Sequence, residues 1–112
     1  MTYHSDAEIL SIRDRFANRS LPKPEWTHAA HFAAALGLLA KYGAEAYEKM
    51  PGLIRAYNEA TGVPNSDSDG YHETITIASL RAADDFLKKA GPETPLFKTV
   101  NEIITSAYGR PD

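Results

Sequence analysis

Apolar residues recur at spacings of three and four along most of the chain, which is the periodicity of amphipathic helices. Near the start, Ser5 followed by Glu8 has the pattern of a capping box. The apolar residues that come next fall on one helical face: Ile9, Ile12 and Phe16. Two close prolines in RSLPKPEW favour extended backbone and end this first helix.

The next two segments are also helical in pattern. A second helix is predicted from about Trp26 to Tyr42, with Gly43 as its C-terminal cap. It is nearly apolar all round, which favours a central, buried place. A third helix is predicted in AEAYEKMPGLIRAYNEATG, and because proline disrupts a helix interior, we expect a kink or a break at Pro51.

The segment ETITI (73–77) alternates polar and apolar residues, a strand signal, but helix formers follow it without a break up to Gly91. Positions 72, 75, 79, 82 and 86 also form a helical stripe, so we predict a fourth helix, capped by Ser68 or Asp69. A last helix is predicted to begin near Pro95 and to end at Gly109-Arg110-Pro111.

These segments predict a compact all-α domain, a bundle of about five helices that spans residues 1–112 as a single domain. The order in which the helices pack against one another is left open by the sequence.

The composition narrows the class of protein. A hydrophobic content of 43% and a charged content of 24% are typical of soluble globular proteins. The net charge of -3 argues against nucleic acid as a partner. Neither a signal peptide nor an apolar run as long as a membrane span is recognised, so we expect a cytoplasmic protein that is not membrane-bound. A small-molecule ligand and homo-oligomer formation both remain open.

The candidate chemistry lies with the histidines. The chain has 4 of them, and three stand at the edge of an apolar helical pattern. His28 and His31, in WTHAAH, are three residues apart and so share one helix face, which continues into the predicted core. His72 begins the apolar stripe of the fourth helix, and Glu73 follows it in the first turn, where the helix dipole favours a negative charge.

If these two helix starts meet, three imidazoles and a carboxylate converge. Such a set suits a divalent transition metal such as zinc, nickel or iron. The predicted metal ligands are His28, His31, His72 and Glu73. Glu73 is alternatively an orienting partner of a histidine, or the catalytic base that acts on metal-bound water.

Two alternatives to a metal remain: a structural histidine–carboxylate hydrogen-bond network, and a metal-free binding or acid–base pocket. Four further residues are candidates for lining a pocket beside the histidines: Trp26, Tyr71, Arg55 and Tyr57. For Trp26 and Tyr71, core packing is the preferred interpretation. Arg55 and Tyr57 are candidates for contact with an anionic ligand, although an exposed arginine without such a role is the commoner case.

Two partial motifs are rejected. NSDSDG (65–70) begins like a calcium-binding loop, but Thr76 stands where the bidentate glutamate is required. HETIT begins like the zinc-protease motif H-E-x-x-H, but the same Thr76 replaces the second histidine.

The segment from Trp26 to Ile77 resembles a family of small uncharacterised bacterial proteins. The shared elements are an aromatic-led H-x-x-H helix, a helix that ends in N-E-A-x-G-V, and the element G-Y-H-E-T-x-T, of which GYHET is the most specific. The resemblance implies that His28, His31, His72 and Glu73 occupy the family's characteristic positions, and it implies no substrate or reaction. A looser similarity, by analogy alone, links the chain to DinB-like helical bundles, which hold a metal with three histidines at a different spacing.

Two functional hypotheses follow. The first is a metal-binding protein, with hydrolase-like attack by water as the simplest activity. The second is a non-catalytic helical module for ligand binding or protein interaction, in which the histidine–carboxylate cluster is structural.

Overall fold

The computed structural model describes residues 3–62 and 73–106, with the backbone alone described at 73–76. Within these ranges the chain forms five α-helices: α1 (Asp6–Ala17), α2 (His28–Tyr42), α3 (Ala46–Ala60), α4 (Glu73–Ala90) and α5 (Leu96–Thr105). Short 3-10 turns lie at Lys23–Glu25 and Gly43–Glu45. The described ranges contain no strand, so the predicted all-α fold is confirmed.

Residues 73–77 belong to α4, which confirms the prediction that ETITI is helical. The predicted caps of this helix, Ser68 and Asp69, lie outside the described residues. The predicted end of the last helix at 109–111 also lies outside them. None of the described helices combines the length and the apolar character that crossing a membrane requires.

Helix α1 begins with the predicted capping box. The hydroxyl of Ser5 accepts a hydrogen bond from the Glu8 amide, and the Glu8 carboxylate accepts one from the Ser5 amide. Because each side chain satisfies a backbone donor at the helix start, the local sequence alone determines where α1 begins. The face predicted to be apolar is buried.

Helix α2 is the centre of the fold and packs against each of the other four α-helices. Every residue from Phe32 to Leu39 is buried, as its all-round apolar character predicts. The helix begins two residues later than expected because the Thr27 hydroxyl caps it by accepting from the Ala30 amide. It ends at Gly43, whose φ of 60° is readily accessible to glycine.

Helix α3 continues through Pro51 as one helix, so of the predicted kink or break, the break is wrong. Proline inside a helix costs about 3 kcal/mol. On either side of Pro51, however, Met50, Ile54 and Tyr57 are buried in the core. Each such side chain contributes roughly 1.5–3 kcal/mol, so packing outweighs the cost of the proline.

Helix α5 receives its cap from another helix. Pro95 precedes its first residue and makes no side-chain cap. Instead the Asp6 carboxylate, at the start of α1, accepts a hydrogen bond of 3.0 Å from the Phe97 amide. A carboxylate there also interacts favourably with the helix dipole, and the contact joins the beginning of the chain to α5.

Candidate functional site

The imidazole of His31 is held by the backbone at the start of α2. Its Nδ1 lies 2.9 Å from the carbonyl oxygen of Thr27. The same oxygen accepts a hydrogen bond of 3.1 Å from the backbone amide of His31. A carbonyl oxygen can only accept, so Nδ1 must carry the proton. The Nε2 atom of the neutral ring is therefore left with its lone pair, as a metal ligand or a base requires.

Aromatic rings fix the orientation of this imidazole. The indole of Trp26 lies against it, with ring centroids 4.0 Å apart. On its other side Trp26 stacks on Phe16 at 4.5 Å, with the ring planes 7° apart. Tyr57 contacts both Phe16 and Trp26. The aromatic cluster of Phe16, Trp26, His31 and Tyr57 thus leaves His31 little freedom to rotate.

Burial also keeps His31 neutral. Desolvation of the ring lowers the pKa of His31 below its usual value, and the positive charge that His28 can carry lowers it further. The hydrogen bond to the Thr27 carbonyl acts in the opposite direction, but desolvation is the larger effect. His31 is consequently unprotonated at Nε2 near neutral pH.

His28 departs from the expectation that both histidines of H-x-x-H face the core. It is exposed, and its ring lies nearly perpendicular to that of Phe32, with the ring centroids 5.3 Å apart. It is the first residue of α2. The two histidines are three positions apart on α2, so they project from neighbouring points of the helix surface.

The other two predicted ligands cannot be located beside this pair. His72 lies outside the described residues, as does Tyr71, and Glu73 begins α4 with its side chain undescribed. Within the described part of the chain, no three histidine or acidic side chains come together in a way that could hold a metal ion. Convergence of His28, His31 and His72, with ring nitrogens roughly 3–5 Å apart around a shared ion as metal–imidazole bond lengths require, therefore stays a prediction.

The predicted pocket residues fall into different environments. Trp26 packs against the core, as preferred, while its ring also forms one wall of the His31 environment. Tyr57 is fully buried, and its hydroxyl donates to the Leu21 carbonyl at 2.8 Å. Tyr57 is thus part of the core rather than of a surface that an anionic ligand reaches. Arg55 is exposed on α3.

Sequence reasoning missed the part that the backbone of Thr27 plays. The residue that caps α2 stands four positions before His31, so its carbonyl lies within reach of that side chain. A capping residue four positions before a histidine is the signal that would have identified this contact. Thr27 also lines a cleft of about 470 Å³ between α1 and the turn at Lys23–Glu25, where Arg15 and Glu25 form an ion pair at 3.2 Å.

Comparison of the chain with protein-family models, with curated proteins and with solved structures found no match.

Proposed function

We propose that this protein binds a divalent transition metal (zinc, nickel or iron) through His28, His31 and His72. Glu73 is then either a fourth ligand or the base that activates water. The observation that carries the proposal is the state of His31. Its Nδ1–H is donated to a backbone carbonyl and its pKa is lowered. Metal-binding histidines typically make this kind of second hydrogen bond, which fixes the tautomer and the ring orientation.

The course of the helices supports a common site. Tyr57, near the end of α3, contacts Trp26, just before α2, so α3 runs back along α2. At the other end of the molecule, Leu87 and Gly91 of α4 line one cleft with Ala40 of α2. If α4 runs alongside α2 in the same direction, then at about 1.5 Å per residue Glu73 comes level with His28. His72 is the residue before Glu73 in the sequence.

The chemistry of such a site follows from its ligands. Three neutral imidazoles leave a coordination position of a divalent ion open for water or substrate. A bound divalent ion makes water more acidic, and Glu73 is the group to which we assign the proton. The reaction class that fits is hydrolysis of a small-molecule substrate, for which the cleft beside Thr27 offers space.

Metal content tests the proposal directly. Protein purified without a nickel column is subjected to elemental analysis, stripped with chelator and titrated with Zn²⁺. We expect one equivalent to bind, and we expect His31→Gln and His28→Gln each to weaken binding by about 10-fold or more, since each removes a ligand bond. His4→Gln is the matched control, because His4 is exposed and belongs to the start of the chain, before α1. Equal zinc affinity in all three variants would contradict the proposal.

Glu73→Gln separates the roles assigned to Glu73. It removes the charge and nearly preserves the shape. If Glu73 is a metal ligand, the variant should bind zinc more weakly. If Glu73 is a base, the variant should bind zinc normally, and turnover should fall by about 100-fold or more. If Glu73 interacts only with the helix dipole, the variant should lose only about 0.3–1 kcal/mol of stability. Such a loss with unchanged zinc binding and turnover would remove Glu73 from the site.

A second candidate, a non-catalytic helical module, is favoured by the aromatic cluster around His31. In that case the imidazole serves packing, because one face is covered by Trp26 and Nδ1 is already bonded. This alternative predicts that His31→Gln lowers the unfolding temperature in the presence of chelator, and that zinc has no effect on the unfolding temperature of the unmodified protein.

A further inference from the structure

A second cleft lies between α1, the end of α2 and the first half of α3, and none of the predicted site residues lines it. Its volume is about 340 Å³. The walls are of two kinds. The apolar part comprises Ala17, Leu38, Leu53 and the ring of Tyr42, and the charged part comprises Arg13, Asp14, Lys41 and Lys49.

Positive charge predominates in this cleft although the whole chain is negative. Three cationic side chains face one carboxylate, whereas the chain has a net charge of -3. Asp14 is engaged by Arg13, whose Nε lies 2.8 Å from Oδ1. This hydrogen bond holds the pKa of Asp14 below its usual value, with a further contribution from Lys41. The cleft therefore keeps two cations in excess at neutral pH.

Those two cations share one aromatic ring. The Nζ atom of Lys41 lies 5.3 Å from the centroid of the Tyr42 ring, and that of Lys49 lies 4.8 Å from it. In the described part of the chain neither ammonium is within 4.0 Å of a carboxylate. Two ammonium groups that contact one ring create a positive electrostatic potential, which favours the binding of an anion beside Tyr42.

Arg13 is pre-positioned for the same task. Its side chain is only 14% exposed and lies across Gly37 of α2, where Nη1 approaches the Gly37 carbonyl at 3.5 Å. Because Gly37 has no side chain, the stem of Arg13 can pack directly on the helix backbone. A guanidinium has five N–H donors in a fixed plane, so these contacts leave donors for an oxyanion.

Helix stability does not account for the residues that α3 contributes. Lys49 lies close to the start of α3, where a cation gains nothing from the helix dipole. Gly52 destabilises a helix interior, yet a Cβ there would meet nothing within 4 Å. No packing contact requires glycine at this place, and its effect is to leave the cleft open.

We infer that this cleft is a binding site for a small phosphate monoester. A phosphate monoester carries close to two negative charges at neutral pH, which matches the two cations in excess. Arg13, Lys41 and Lys49 are assigned to the phosphate oxygens. An apolar or planar substituent of the ester lies against Tyr42, Leu38 and Leu53.

The test uses phenyl phosphate, inorganic phosphate and phenol as probes, with ¹H–¹⁵N NMR spectra of the full-length chain at low ionic strength. Phenyl phosphate is expected to shift the amide signals around Lys41, Tyr42 and Lys49 in a saturable manner. Inorganic phosphate is expected to bind at the same place more weakly, and phenol is expected not to bind. Shifts that are unsaturable or that centre on another part of the chain would overturn the assignment. Equal affinity for inorganic phosphate would show that the apolar wall contributes nothing and would overturn the assignment to a phosphate monoester.

Three variants separate this site from general attraction of anions. Lys41→Gln combined with Lys49→Gln should weaken phenyl phosphate binding by about tenfold or more, since two charge-assisted contacts are lost. Lys89→Gln combined with Lys98→Gln changes the net charge equally at exposed lysines outside the cleft and should leave affinity nearly unchanged. Gly52→Leu keeps every charge but fills the cleft, and it should abolish binding without unfolding the protein. Equal weakening by both lysine pairs, or full binding by a folded Gly52→Leu variant, would refute the site.

Discussion

The imidazole Nδ1 of His31 donates its proton to the carbonyl oxygen of Thr27, the residue that caps the same helix. The helix start and the histidine are therefore one local unit. The hydroxyl of Thr27 caps α2 and so determines where the helix begins. The carbonyl of the same residue then lies within hydrogen-bond distance of the His31 ring, four positions later. Any function of His31 depends on this contact, because it determines which ring nitrogen is available.

The first prediction concerns stability and pH. Desolvation lowers the pKa of His31 in the folded protein below the value of 6.5 expected when the chain is unfolded. As pH falls through 6.5, the unfolded chain takes up the proton first, so stability decreases until the folded pKa is passed and is then constant with respect to this group. Urea unfolding in the presence of chelator, at pH values from 8 to about 5, measures this loss.

The matched variants for this experiment are His31→Gln and His4→Gln. The slope of stability against pH should flatten in His31→Gln and persist in His4→Gln, whose histidine is exposed. The pKa of Asp14 is lowered from its usual 3.8, so this carboxyl does not contribute in this window. Stability that rises on acidification of the unmodified protein would contradict the assignment.

The second prediction compares two glycines inside helices. A Cβ at Gly37 would lie 2.9 Å from the Cβ of Arg13, too close for any real contact and too near the backbone for a side-chain rotation to relieve. Gly37→Ala should therefore destabilise the protein by about 1–3 kcal/mol, as overpacking does, although alanine is the better helix former. Gly52→Ala meets no neighbour within 4 Å and should stabilise it by up to about 1 kcal/mol. The denaturant midpoints of the two variants measure these changes in stability. A change of the same sign in both variants would contradict the packing of Arg13 on α2.

Much of the fold was predictable because the signals are local. The capping box of Ser5 and Glu8, the glycine after α2 and the helical stripe through ETITI each depend on residues within a few positions of one another. Helix α3 does not break at Pro51 because the burial of neighbouring side chains outweighs the local cost of proline, and burial depends on distant parts of the chain.

The candidate site was less accessible to sequence reasoning for the same physical reason. Periodicity places His28 and His31 on one face, but it does not tell how much of that face the rest of the chain covers, and the structure leaves His28 exposed. The stack of Trp26 between Phe16 and His31 brings together residues of two helices and a connection. The approach of Arg13 to Gly37 spans 24 positions in the chain, and no short pattern encodes such a distance.

The third prediction concerns Asn101, which ties the beginning of the chain to α5. Its Oδ1 accepts from the Tyr3 amide and its Nδ2 donates to the Tyr3 carbonyl, both at 2.9 Å. Asn101→Ala removes both hydrogen bonds and should cost about 1–3 kcal/mol, because partly buried backbone groups are left unsatisfied. Asn101→Asp retains the acceptor for the Tyr3 amide and loses the donor to the Tyr3 carbonyl. Its stability should therefore lie between those of the unmodified protein and Asn101→Ala.

Hydrogen exchange provides the specific readout for Asn101. Exchange of the Tyr3 amide should accelerate in Asn101→Ala and stay slow in Asn101→Asp, which a general loss of stability would not produce. Unchanged exchange in Asn101→Ala would show that another contact protects the beginning of the chain.

The last prediction uses Trp26, the single tryptophan of the chain, as a reporter of the proposed metal site. The centroids of its indole and of the His31 ring lie 4.0 Å apart. A divalent cation bound at Nε2 of His31 would therefore change the electrostatic environment of the fluorescent indole. Zn²⁺ added to chelator-stripped protein should change Trp26 emission saturably, with the same midpoint as zinc binding measured by calorimetry. The change should be lost in His31→Gln and retained in His4→Gln. An equal emission change in His31→Gln would mean that zinc acts elsewhere. The unfolding temperature of His31→Gln, measured in chelator, shows whether a lost emission change reflects loss of the ligand or loss of the fold.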